Sequence, residues 1–195
     1  VTLACLIGCT LLLFAGWELI IIGALCVLFA FLYTTGPYPL SYNGWGDVLV
    51  IIFFGFVPVG GTYYVQALTW TPDVTIASII CGLLIDTLLV VNNYRDREAD
   101  ARSGKRTVIV RFGEKFGRYF YLLLGISASL LCLYFLREGH IYAALLPQLY
   151  LVPHVLTWRR MVKIHSGKKL NSILGETSRN MLFMGVLIAI GMLVS

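Results

Sequence analysis

Charge is what this chain has little of. Asp and Glu together number 10 and Lys and Arg 15 among 195 residues, against 58% hydrophobic residues. That excludes an ordinary soluble domain, in which charged residues make up about a quarter of the chain. Histidine is scarcer still, with only His140, His154 and His165, and none stands at ligand spacing from a cysteine. The five cysteines, Cys5, Cys9, Cys26, Cys81 and Cys132, all fall inside apolar runs and form no CxxC pair. Zinc and redox roles are therefore disfavoured, and the cysteines read as small apolar fillers. No secretory leader is visible, and nothing gives reason to infer a nucleic-acid or protein partner.

What is present is apolar sequence in long runs. They cover about 2–16, 19–35, 48–68, 74–91, 117–136, 140–158 and 180–194. Most approach the roughly 20 residues that cross a hydrocarbon core of about 30 Å. The expected fold is all-α: a polytopic transmembrane helical bundle of seven helices, in one domain over 1–195. If the segments alternate, loops 36–47, 92–116 and 159–179 share one side of the bilayer. All Lys and Arg but Arg137 fall on that side, which the positive-inside rule assigns to the cytoplasm. Pro147 and Pro153 are expected to bend the sixth helix. The basic run 158–169 suits an anionic lipid surface, and Glu176 and Arg179 are placed to pair at i, i+3.

One stretch breaks the apolar pattern: "NNYRDREADARSGKRT", 92–107. If the fourth helix continues past the membrane at about 100° per residue, Asn92, Asn93, Asp96, Asp100 and the deeper Asp86 share an arc of roughly 120°, and Arg95 points away. Two carboxylates at i, i+4 repel in a merely solvated helix. A Mg²⁺ between them turns the repulsion into binding, since Mg²⁺ is commonly held by one or two carboxylates with substrate phosphates completing the shell. Lys105, Arg106 and Arg111 follow directly, and their cations suit a diphosphate. Arg97, Arg102, Lys115 and Arg118 read as the solvated face. Asp86, about 15 Å below Asp96 along the axis, must look into a polar cavity or bond a neighbouring helix.

The stretch "NNYRDREADARSGKRTVIVRFGE" resembles the second Asp-rich motif of the UbiA-type intramembrane prenyltransferases. The match is closest to the 1,4-dihydroxy-2-naphthoate polyprenyltransferases of menaquinone synthesis, whose pattern runs NNxRDxxxDxxxGKxTxxVRxG. Asn92, Asn93, Arg95, Asp96, Asp100, Gly104, Lys105, Thr107, Val110, Arg111 and Gly113 meet every fixed position. "YTTGPYPLSYNGWGDVLVIIFFGFVPVGGTYYVQ", 33–66, is similar to the segment YTxG…GxGD…FFG that joins two central helices of that family.

The resemblance implies nine transmembrane helices around a central cavity, with two Asp-rich loops holding Mg²⁺ and a polyprenyl diphosphate on the cytoplasmic side of a bacterial inner membrane. The seven segments here would be the third to ninth. The sequence is then expected to be truncated at its N-terminus, without the first two helices and the first motif NDxxDxxxD; Val1, which is not Met and opens inside an apolar run, agrees. It further implies transfer of the prenyl group to 1,4-dihydroxy-2-naphthoate with loss of CO₂ and diphosphate. Asp96 and Asp100 would bind metal, with Lys105 and Arg106 neutralising the leaving group. Asn92, Asn93, Arg95, Arg111, Tyr33, Tyr38, Asp47 and Asp86 would contact substrate. Aromatic faces can steady an allylic cation, and Tyr33, Tyr38, Tyr42, Phe53, Phe54, Tyr63 and Tyr64 are candidates. Asp47 reads either as an acid at a helix N-terminus or as a substrate-site carboxylate. Prenyltransferases acting on 4-hydroxybenzoate or haem are the nearest alternative. A transporter with polar groups at midplane is the alternative from another class.

Overall fold

The computed structural model describes residues 2–13 and 15–195, apart from the side chains of Ala4 and Cys5. Val1 and Cys5, singled out above, therefore lie outside the described residues. Helix is the only regular structure among the described residues. Seven helices follow in order: α1 Thr2–Thr10, α2 Glu18–Thr34, α3 Gly46–Ala67, α4 Pro72–Arg102, α5 Val108–Glu138, α6 over 141–164 and α7 Lys168–Val194. Of these, α3, α4, α5 and α7 are each long and apolar enough to cross a membrane. The fold is a helical membrane bundle.

Helix α4 is the axis of the molecule, packed against α3, α5 and α7. Its start is specified locally. The Thr71 hydroxyl caps it by accepting from the Val74 amide at 3.4 Å, Pro72 occupies the first turn, and Asp73 adds an acid there. Its 31 residues span about 46 Å, so 92–102 project well past the apolar part at 74–91. Of the polar link 92–116, the part up to Arg102 continues the fourth helix, as the helical spacing of Asp96 and Asp100 required. Residues 103–107 then leave the helix, and α5 starts at Val108, capped by the Thr107 hydroxyl. A break at Gly113, with φ of +86°, re-aims α5 towards the membrane; that left-handed backbone favours glycine.

Two buried clusters join α4 to α5, α6 and α7. Ile80, Leu84, Phe135 and Met184 belong to one, and Val90, Tyr94, Tyr121 and Ile173 to the other. Polar pairs inside these helices are matched: Tyr121 with Thr177 at 3.0 Å, and Tyr150 with His154 at 2.9 Å. Such pairing is what hydrocarbon requires of buried polar groups. The expected bend in α6 coincides with a 3₁₀ stretch at Leu146–Tyr150 that carries Pro147. Among the described cysteines only Cys132 is fully buried, and Cys9 is exposed. The expected Glu176–Arg179 pair does not form; Glu176 bonds Arg160 on α6 at 2.6 Å instead, because it faces the neighbouring helix rather than its own outer face.

Helices α3 and α4 meet backbone to backbone. From Ile51 to Gly60 helix α3 widens into π-type bonding around Pro58, a local rearrangement that admits a residue without an amide hydrogen. At this point Gly55 faces Gly82. A Cβ on Gly55 would meet the Gly82 Cα at 2.9 Å, and one on Gly82 would meet the Ile51 Cα at 2.9 Å. This is the small-residue contact that lets membrane helices approach closely.

Candidate active site

The site forms where the C-terminal end of α4 meets the loop between α2 and α3. The turn after α4 is closed by the Lys105 amide donating to the Asp100 carbonyl at 3.0 Å, with Gly104 at φ +79°. The Arg106 amide then donates to the Tyr42 carbonyl at 2.7 Å, and the Arg111 guanidinium donates to the Asn43 carbonyl at 2.7 Å. Gly44, at φ +82°, completes the dock: a Cβ there would lie 2.7 Å from the Arg106 carbonyl oxygen. Two stretches that the sequence treats as separate motifs are thus one unit. Arg106 and Arg111 are both exposed at it.

Each carboxylate of the i, i+4 pair carries a cation of its own chain. Asp100 is 7% exposed and lies 2.9 Å from the Lys105 ammonium, which also sits over the Tyr42 ring at 5.3 Å. The bond to Asp100 raises the Lys105 pKa, against the opposing effect of burial. Arg95 grips Asp96 with two bonds of 2.7 and 2.6 Å, and this bond holds the Asp96 carboxyl below its ordinary range. The sequence reading had Arg95 pointing away. Its long side chain instead curls back along α4, and also donates to Asn92 at 2.7 Å and to Asn171 on α7 at 2.9 Å. Asn93 is buried at 8% exposure.

Among the described residues no three His, Cys, Asp or Glu side chains come together as a complete metal cage. The donors fit a Mg²⁺ that takes one or two carboxylates from the protein and phosphate oxygens from a substrate. Arg95 and Lys105 now hold the charges that such an ion would meet.

Deeper in the bundle lies a second acidic pair. Asp47 opens α3 and is 7% exposed; Asp86, mid-way along α4, is fully buried. A Cβ on Gly46, next to Asp47, would lie 3.4 Å from the Leu89 side chain, less than one turn beyond Asp86 on α4. Both carboxylate oxygens of Asp86 and one of Asp47 have no hydrogen-bond partner among the described residues, so Asp86 makes no bond to a neighbouring helix there. Half-buried Tyr33 lies beside Asp47, with its hydroxyl 3.6 Å from where a Cβ on Gly46 would stand. Tyr38 is 58% exposed.

A cavity of about 820 Å³ opens between α2 and α3, walled by Ile22, Leu25, Phe29, Phe53, Phe56 and Tyr64. Phe53 and Tyr64 of the seven aromatic candidates line it, whereas Phe54 is 55% exposed.

Sequence reasoning missed the supports of the site. Arg97 and Arg118, read as solvated, converge with His165 on Glu114, which also accepts from the Tyr94 hydroxyl at 3.0 Å. This cluster ties α4 to α5 and to the α6–α7 turn. Replacing Glu114 by Gln keeps the shape but strands the cations, and is expected to cost roughly 2–3 kcal/mol. A lower unfolding midpoint in detergent checks this; an unchanged midpoint would leave the cluster without a stabilising role. Asn43-Gly44 carried a turn signal, and Glu114 and Arg118 stand at the i, i+4 spacing of a helical ion pair, but nothing local marked Asn171 or the approach of Arg97 and His165 to Glu114.

The sequence is 39% identical over 139 residues to the 1,4-dihydroxy-2-naphthoate octaprenyltransferase of Escherichia coli strain K12, covering 68% of this chain and 45% of that protein. The protein of the same name in Mycobacterium tuberculosis is 40% identical over 129 residues, 66% of this chain and 44% of its own. UbiA prenyltransferase domain-containing protein 1 of Dictyostelium discoideum is 30% identical over 174 residues, 89% of this chain and 52% of its own. The chain thus spans about half the length of the curated relatives it matches. No solved structure matches. Residues 1–193 match the UbiA prenyltransferase family, and the chain belongs to that family.

Proposed function

We propose that this integral membrane protein takes part in transfer of a polyprenyl group from polyprenyl diphosphate to 1,4-dihydroxy-2-naphthoate, with release of CO₂ and diphosphate. The observation that carries the reading is the docked unit of Asp96, Asp100, Arg95 and Lys105, in a chain whose relatives bear that enzyme's name. Asp96 and Asp100 would hold Mg²⁺, which supplies electrostatic stabilisation to a departing diphosphate.

The chain's own groups have a definite part. In the free protein Arg95 and Lys105 hold Asp96 and Asp100 in place, and with a metal on those carboxylates the two cations would be available to phosphate oxygens, Arg95 by a two-pronged grip. Arg106 and Arg111, exposed beside them, raise the local concentration of an anionic substrate. The apolar cavity between α2 and α3 suits an isoprenoid chain, and its aromatic wall keeps water from an allylic cation. We place the site on the cytoplasmic face of a bacterial inner membrane, in keeping with the distribution of Lys and Arg.

The test is an assay on membranes carrying the protein, supplied with 1,4-dihydroxy-2-naphthoate and a polyprenyl diphosphate. Prenylated product, CO₂ and diphosphate should appear together, and should stop when chelator removes Mg²⁺. Full transfer by Asp96→Asn, or transfer indifferent to Mg²⁺, would overturn the assignment of the site.

A further inference from the structure

An unpartnered carboxylate deep in a membrane bundle is a costly group to bury. Asp86 is fully buried on α4, and neither of its oxygens has a hydrogen-bond partner among the described residues. A group used only for packing would be matched by a neighbour, as Tyr121, Ser129 and His154 are. Asp47 presents a third unpartnered oxygen. Carboxylates so placed repel and are poorly solvated, so they accept a hydrogen-bond donor or a proton readily. They need a ligand that brings O–H groups.

The position of the pair narrows the class. Ten residues of helix separate Asp86 from Asp96, about 15 Å along the axis, and the Tyr33 hydroxyl lies 3.6 Å from where a Cβ on Gly46, beside Asp47, would stand. A diphosphate on the outer pair would leave its reacting carbon facing inward, towards Asp47 and Asp86. Trp45, Val48 and Leu49, which flank Asp47 in sequence, line the apolar cavity, so a flat ring in that cavity reaches the segment that carries Asp47.

We propose that Asp47 and Asp86 form the seat of an aromatic diol acceptor, with Asp86 taking the proton of one ring hydroxyl as the ring attacks. This rests on the naphthoate reading given above. The step balances without any outside reagent. The hydroxyl O–H bond breaks and its proton goes to the Asp86 carboxylate. The ring carbon bearing the carboxylate bonds to the prenyl carbon, whose bond to diphosphate oxygen breaks with the electron pair leaving on diphosphate. The ring–CO₂ bond then breaks, its electrons return to the ring, and the proton passes back from Asp86 to the ring oxygen. Asp47 accepts a hydrogen bond and fixes the orientation of the ring.

The experiment uses the protein reconstituted in lipid under reducing conditions. Binding of 1,4-dihydroxy-2-naphthoate is followed by its fluorescence, beside binding of its dimethyl ether and of a prenyl diphosphate. Asp86→Asn should weaken the diol at least tenfold, erase the preference for diol over ether, and leave prenyl diphosphate affinity within twofold. Asp47→Asn should weaken the diol with a smaller loss of turnover. If Asp86→Asn keeps the diol preference and wild-type turnover, the proposal falls while the naphthoate reading stands. Equal loss of both substrates would make Asp86 structural and also overturn it. If the wild-type protein binds prenyl diphosphate but does not tell diol from ether, the naphthoate reading and this proposal fall together.

Discussion

Asp100→Asn is expected to slow diphosphate release at least a hundredfold while the protein stays folded. The substitution is isosteric and removes one charge from the outer pair. Loss of a single electrostatic contact to a developing anion commonly costs about 10²–10³ in rate, and here the carboxylate would be a Mg²⁺ ligand as well. The fold should survive for local reasons. The turn is closed by the backbone carbonyl of Asp100, not its side chain, and the Lys105 side chain keeps 33% exposure, so water can solvate it. Asp96→Asn should be at least as damaging to turnover and milder to stability, because that side chain is 37% exposed. Turnover measured across a Mg²⁺ titration separates the two effects. Each variant should need more Mg²⁺ and still reach a lower plateau, with unfolding midpoints near wild type. A variant that regains the wild-type plateau at high Mg²⁺ has lost only metal affinity, and one indistinguishable throughout removes Asp100 from the site.

The largest effect on the fold itself is expected at the α3–α4 contact. Leucine at Gly55 places a Cβ against the Ser78 carbonyl and within 2.9 Å of the Gly82 Cα, both backbone atoms that cannot swing aside. The helices would have to separate by more than an ångström over several turns, and dispersion contacts along the seam would be forfeited. That separation would also move Asp47 away from Asp86 and undo the dock of Tyr42, Asn43 and Gly44 on Arg106 and Arg111. Gly55→Leu and Gly82→Leu should each reduce the yield of monodisperse protein in detergent severely, by tenfold or more. Gly61→Leu is the control, since nothing lies within 4 Å of a Cβ there; it should behave as wild type. Equal yields from Gly55→Leu and Gly61→Leu would mean that the backbones do not approach as described.

Much was legible in the residues alone. The apolar runs, the one-sided placement of Lys and Arg and the polar stretch at the end of the fourth helix are local properties, fixed by hydrophobicity and by the helical period. They specified a helical membrane bundle, and the motif around Asp96 and Asp100 pointed to the family that the comparisons then showed. Helix boundaries were less legible. Continuation of the fourth helix to Arg102 agreed with the helical spacing of its acids, because charged residues are good helix formers once outside the membrane. Charge did not mark the turn at 103–107 or the break at Gly113.

What only the tertiary structure decided is who pairs with whom. Helical geometry predicted the direction in which Arg95 leaves the backbone. It could not predict that a long flexible side chain turns back to Asp96 and reaches Asn171, 76 residues away. The same holds for Arg97 on Glu114, and for Glu176 on Arg160. The sequence also left open whether Asp86 bonds a neighbouring helix or faces a chamber. Burial without a partner is a property of the surroundings, set by helices distant in sequence, and no pattern along the chain encodes it. The physical reason is common to all these cases: hydrophobic period and charge placement act within a turn or two, whereas ion pairing and desolvation depend on contacts that exist only once the helices have packed.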